Sequence, residues 1–317
     1  MTPLSPRSIH ARKRPVAVAF VFFMELAWAL LVATPVHAWA RRVWGGHPAG
    51  DAVLFADGAR DLMVWLGQSD AALPVTTRTT IVLLAVGAVV MQLPFGALVA
   101  ALAFGRIVET DDEGTVQIRS LRLRSALQVG VSSFLPLAVL LVLGSIASLI
   151  VLLLGGLAAS GLDGILTEAF GDARSFTLRA VLFGVFAAIA AVIGVVVDLA
   201  RAAVVREAGL AAASGTASPA WNVMLRGVRI AVKTSRAGLG RAVLGWTGRA
   251  IVGIALVAIG YVAADILGGS GGASLALLFV VHQAVVLGRV ALRASWMARA
   301  LSLVAPVQDA TIVLPSP

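Results

Sequence analysis

The chain has 317 residues, 59% of them hydrophobic and 13% charged, with a mean hydropathy of +0.96 and a formal charge of +9. A soluble domain carries roughly a quarter charged residues, so this composition excludes an ordinary water-soluble fold and calls for a bilayer as solvent. The lack of cysteine excludes disulfides, thiolate chemistry and Cys-ligated metals, and the lack of basic patches interleaved with aromatics excludes a nucleic-acid partner.

The positive charge clusters outside the apolar runs, a distribution suited to anionic lipid headgroups. Lysine occurs only as Lys13 and Lys233, and Ala, Val and Gly are abundant. That bias fits a GC-rich bacterial source.

Arg7, Arg12, Lys13 and Arg14 precede an apolar run over 16–40, broken mainly by Glu25. A basic start, an apolar core and Ala38-Trp39-Ala40 also fit a cleaved secretory leader. A leader core is about 7–15 residues long, whereas this run supplies the roughly 20 needed to span. The reading is an uncleaved first span, with removal of residues 1–40 as the alternative. Trp39 and Trp44 are expected at the outer interface, where indole rings are favoured.

The polar loop over 41–79 holds an amphipathic stretch at 51–67. Leu54, Phe55, Leu62, Trp65 and Leu66 share one face with Arg60 opposite, which predicts a helix on the outer surface or capping the bundle. The second span covers 81–104, and Gln92 and Pro94 in its middle predict a kink. The segment 106–119 is polar. Its acids at Glu109, Asp111, Asp112 and Glu113 do not follow EF-hand spacing, so it reads as a solvated turn.

Residues 119–133 form an interfacial lead-in to the third span, 134–157, where Pro136 is tolerated in the first turn. A polar loop over 160–174 leads to the fourth span, 178–199. That helix continues past the membrane, since 201–213 has no breaker but Gly209. Residues 214–219 are a helix stop and restart. Arg226, Arg229, Lys233 and Arg236 then recur as a basic stripe, with Trp221, Leu225, Val228 and Val232 as an apolar stripe beside it. Val223 and Ile230 fall off that stripe. The set predicts an in-plane surface helix on anionic lipid, either a plain anchor or a lipid-sensing or partner-docking element. The fifth span is 250–267 and the sixth 273–293, joined by a Gly/Ser turn too short for a domain. Residues 1–305 read as one integral membrane domain and 306–317 as a disordered tail.

Arginines and lysines on alternate sides fix the orientation. The amino terminus, the loops after the second and fourth spans and the carboxy end hold most of them. The prediction is therefore an all-α, six-span helix bundle in the bacterial inner membrane, with both termini cytoplasmic and interfacial amphipathic helices.

No catalytic or phosphate-binding motif is present. His10, His37, His47 and His282 do not share a span at metal-ligand spacing, so no enzyme activity, cofactor or metal is expected. The polar residues inside or at the edges of spans form the candidate cluster: Glu25, Gln92, Asp198, Arg201, His282, Gln283 and Arg289. Such residues either serve function or knit helices together. Asp198 and Arg201 are spaced to pair at i, i+3, and the axial levels of Glu25 and Arg289 predict a pair between the first and sixth spans.

Asp198-Leu199-Ala200-Arg201 ends the fourth span, and Gln283 to Arg293 in the sixth reads Q-x5-R-x3-R. In this the chain resembles a group of uncharacterised six-helix bacterial inner-membrane proteins. The resemblance implies a layout and no mechanism. The functional reading is a structural or accessory membrane protein whose partners are lipids, with transport of a small solute or lipid as the alternative.

Overall fold

The computed structural model describes residues 2–3, 11, 14–44, 72–110, 116–120, 123–215, 218–267 and 272–309. Six stretches form helices long and apolar enough to cross a membrane: Pro15–Arg42, Leu73–Ala103, Leu123–Gly161, Asp172–Ala213, Ala220–Leu267 and Gly272–Ala305. The chain is an all-α, multi-pass bundle, as its apolar runs predict. Its helices are α1 (Pro15–Trp44), α2 (Ala72–Val90), α3 (Gln92–Ala103), α4 (Leu123–Gly161), α5 (Asp163–Phe170), α6 (Asp172–Ala213), α7 (Ala220–Leu267) and α8 (Gly272–Asp309). The surface helix predicted at 51–67 lies outside the described residues, as does 310–317. α8 runs through Pro306 to Asp309, into the stretch expected to be tail.

The second span is interrupted where Pro94 predicts. Pro94 has no N–H to offer the preceding turn, so α2 stops at Val90 and α3 restarts at Gln92 after a turn at Met91. Met91 N–H reaches Gly87 O at 2.8 Å, and Phe95 N–H reaches Met91 O at 3.1 Å. The hydrogen-bond ladder is thus carried across the break. α6 runs on past Arg201 to Ala213, as the absence of a strong breaker predicts. It ends where Ser214 N–H bonds Leu210 O at 3.0 Å and Gly215 takes a φ of 67°, a left-handed turn that favours glycine.

Several stretches depart from prediction. The loop expected over 160–174 contains α5, with Gly171 between α5 and α6 at a φ of 74°, and Arg179 pairs with Asp163 across the turn. Trp39, near the far end of α1, is packed against protein, at 8% exposure. The segment 106–119 is not simply a solvated turn. β2 (Phe104–Thr110) pairs antiparallel with β3 (Val116–Ser120), Val108 opposite Ile118, and β1 (Thr2–Pro3) pairs with the other side of β2. Ile107, Val108, Thr110, Val116 and Ile118 are β-branched, which suits extended backbone. Asp111, Asp112 and Glu113 lie outside the described residues. α7 joins two helices across Gly238, whose φ of −167° and ψ of 35° are not helical. Residues 220–237 form a stub against the end of α6, and the fifth span follows the break.

The tightest packing gathers at one end. Leu98, Val99 and Phe104, Leu199 and Val204, and Met297, Leu301 and Val304 are all 1% exposed or less. Small residues let the backbones approach there. A Cβ on Gly130 of α4 would lie 2.9 Å from Leu93 O, and one on Gly227 of α7 would lie 3.0 Å from Val204 N. Toward the other end, Leu149, Leu153, Leu157, Val181, Ile254 and Val280 are each more than half exposed. An apolar exterior of that kind belongs in lipid.

The packed end also collects segments whose charges predict a common side. β1 pairs with β2. Arg14 Nη2 donates to Phe104 O at 3.5 Å, and Arg206 Nη1 donates to Ala305 O at 3.1 Å. The amino-terminal residues, the hairpin after the second span, the end of α6 and the end of α8 therefore share this basic end.

Candidate functional site

Asp198 closes the apolar part of α6, and Arg201 follows one turn later on the same face. Arg201 Nη1 donates to Asp198 Oδ1 at 3.0 Å, the pair that i, i+3 spacing predicts. The second carboxylate oxygen, Oδ2, accepts from Trp296 Nε1 of α8 at 2.9 Å. Arg293, one turn earlier on α8, brings Nη2 to 3.9 Å from Asp198 Oδ1. Both guanidinium groups stand over the Phe95 ring of α3, Arg293 at 4.8 Å and Arg201 at 5.9 Å from its centroid, within cation–π reach. One carboxylate, two guanidiniums and two aromatic rings thus tie α3, α6 and α8 at one level. Both oxygens of Asp198 are engaged, so the arrangement braces helices rather than offering a free acid or base.

Glu25 faces this group from α1. It lies within electrostatic reach of Arg293 and Arg289 of α8. No ion-pair contact joins Glu25 to either arginine among the described residues. The predicted Glu25–Arg289 pair is therefore not an ion-pair contact: α1 and α8 do face each other, but the two side chains do not meet, and Arg289 and Arg293 are both exposed.

The other predicted members scatter. Gln92 is buried; its Nε2 donates to Ala88 O of the preceding turn at 2.9 Å, and its Oε1 has no partner among the described residues. His282 and Gln283 lie farther up α8. A Cβ on Gly260 of α7 would lie 3.5 Å from His282 Cδ2, so the imidazole packs on the α7 backbone, and Gln283 Oε1 is buried without a partner among the described residues. Phe95, Arg293 and Trp296 are the members that sequence reasoning left out. A signal existed for Arg293, which closes the Q-x5-R-x3-R stretch and meets the Asp198 of D-x-A-R in space.

The polar residues all lie well along their helices from the ends remote from the tight packing. At about 1.5 Å per residue, Asp198 lies about 39 Å from Asp172, Trp296 about 36 Å from Gly272, Gln92 about 30 Å from Ala72 and Glu25 about 28 Å from Trp44. A hydrocarbon core is about 30 Å thick. These polar residues therefore stand about one core thickness or somewhat more from the far ends of their own helices, with the packed basic end beyond them.

The basic stripe is exposed throughout: Arg226, Arg229, Lys233 and Arg236 all face away from the bundle. The predicted apolar stripe is not the packing face. Trp221 is 61% exposed and Leu225 and Val232 are 38% exposed, whereas Val223, Met224, Gly227, Ile230, Ala231 and Thr234 are buried. Gly227 and Ala231 permit close approach to the neighbouring helix, and Val223, Met224 and Ile230 pack beside them, while Trp221, Leu225 and Val232 face outward. No family model, curated protein or solved structure matches the chain.

Proposed function

We propose that the chain is a non-catalytic accessory protein of the bacterial inner membrane that holds an anionic leaflet against its basic end, with both termini cytoplasmic. One observation carries the reading. The outward face of 220–237 divides into an apolar line, Trp221, Leu225 and Val232, and a basic line, Arg226, Arg229, Lys233 and Arg236. Such a helix enters the headgroup boundary by its apolar line, about 5–10 Å deep, while each cation near an anionic surface contributes about 1 kcal/mol. The brace at Asp198 supports the same reading, because it fixes the helices next to the stub. The meeting of D-x-A-R with Q-x5-R-x3-R supports membership of the uncharacterised six-helix group. Transport is the weaker reading: the interruption beside Pro94 favours it, but the Gln92 amide is turned to Ala88 O of the preceding turn.

The test uses the native lack of cysteine. A spin label on Leu225→Cys in the full-length protein reports lipid or water by its accessibility to oxygen and to a water-soluble nickel chelate. In nanodiscs of phosphatidylcholine with phosphatidylglycerol the label should be lipid-accessible, and high salt should move it toward water. Identical accessibility in pure phosphatidylcholine would remove the electrostatic basis of the proposal.

A further inference from the structure

Arg249 of α7 and Arg299 of α8 converge over Gly245, where the two helices pack. A Cβ on Gly245 would lie 3.7 Å from Arg249 Nη1, 3.9 Å from Arg299 Cγ and 3.9 Å from Trp296 Cζ3. Residue 245 carries no side chain, so both arginines and the indole lie over its backbone. Trp296 is fixed by its bond to Asp198, which sets Ser295 and Arg299 beside it on α8. Arg249 then ties the two helices: its Nε donates to Ser295 Oγ at 3.0 Å and its Nη1 to Gly245 O at 2.7 Å.

These bonds leave donors and no acid to receive them. Arg249 Nη2 makes no hydrogen bond among the described residues, and the Ser295 hydroxyl proton has no acceptor among them. Arg299 is exposed, and its guanidinium has neither hydrogen bond nor ion pair among the described residues. The charge within reach of Arg249 is that of Arg299, another cation. Two neighbouring guanidiniums repel unless an anion stands between them, and their N–H groups suit phosphate oxygens.

The depth points to the source of that phosphate. At about 1.5 Å per residue, Gly245 lies about 33 Å from Leu267 and Ser295 about 35 Å from Gly272. With those far ends at one boundary of a hydrocarbon core about 30 Å thick, the cluster stands a few Å beyond the opposite boundary, among the lipid phosphates.

We propose that Arg249, Arg299 and Ser295 bind the phosphate of one anionic phospholipid between α7 and α8. The site rests on the basic end meeting a leaflet, as the functional reading has it, but uses none of the cations of 220–237. The stub meets many lipids as a surface, whereas this cluster holds one headgroup.

Native mass spectrometry of the full-length protein in a mild non-ionic detergent, titrated with phosphatidylglycerol or phosphatidylcholine, tests the proposal. The expected result is one phosphatidylglycerol per chain, retained in preference to phosphatidylcholine. Arg249→Gln and Arg299→Gln should each weaken retention about fivefold, the effect of one cation near an anionic head. Arg299→Gln should do so without lowering thermal stability, because that side chain braces nothing. Neutralising Arg226, Arg229, Lys233 and Arg236 together to Gln should leave the bound lipid in place, even if the stub then loses its hold on the leaflet. Equal retention of both lipids, or unchanged retention in Arg299→Gln, would overturn the site. Displacement of the lipid by inorganic phosphate at equal concentration would also overturn it, by placing a free anion there. Loss of the lipid in the four-residue variant alone would move it to the stub.

Discussion

Trp296 Nε1 lies 2.9 Å from Asp198 Oδ2 and joins α8 to α6 across 98 residues of sequence. Removing the carboxylate leaves Arg201 and Arg293 facing each other over Phe95. Asp198→Asn is therefore expected to cost about 3–5 kcal/mol, the range for breaking a buried pair. Trp296→Phe keeps the ring and loses one donor to a charged acceptor, worth about 1.5–3 kcal/mol. Denaturant unfolding in detergent measures both, and an Asp198→Asn protein as stable as the parent would show that the cluster braces nothing.

Glu25 of α1 lies within electrostatic reach of both Arg293, which also meets Asp198, and Arg289 of α8. In double-mutant cycles on thermal stability, Glu25→Gln should couple to Arg293→Gln by at least about 0.5 kcal/mol, and less to Arg289→Gln. The reverse order would restore the pairing predicted from axial level alone.

Gly130 touches the backbone of α3, where a Cβ would lie 2.9 Å from Leu93 O and 3.0 Å from Ala97 N. Neither atom is the end of a flexible side chain, so Gly130→Ala should destabilise by about 1–3 kcal/mol, as overpacking does. Gly156, further along α4, has open space around its Cβ position. Gly156→Ala should be neutral or slightly stabilising, since it lowers only the freedom of the unfolded chain. Equal losses in the two variants would mean that α3 and α4 do not approach as described.

The spans were legible because an apolar run of sufficient length has few other uses, and Pro94 marked its own interruption because it lacks an N–H. The Asp198–Arg201 pair was legible for the same local reason: both residues sit on one helix, one turn apart. Arg293, Trp296 and Phe95 were not, because their contacts depend on which faces of α3 and α8 turn toward α6. In these helices both the lipid side and the protein side are apolar, so periodicity does not choose between them. The same ambiguity inverted the stub, where Trp221 and Leu225 carry the strongest apolar signal and face outward while Gly227 and Ala231 pack. The strands escaped notice because the charged and polar residues of 106–119 mask the β-branched ones that suit the β2–β3 hairpin.

The account depends most on the packed, basic end facing the cytoplasm. With no native cysteine to interfere, Ser214→Cys at the end of α6 and Gly272→Cys at the start of α8 sit at opposite ends of the bundle, both exposed. A membrane-impermeant maleimide applied to intact cells should label Gly272→Cys and reach Ser214→Cys only after the membrane is permeabilised. Labelling of Ser214→Cys in intact cells, with Gly272→Cys protected, would contradict the orientation and with it the placement of the basic face on the inner leaflet.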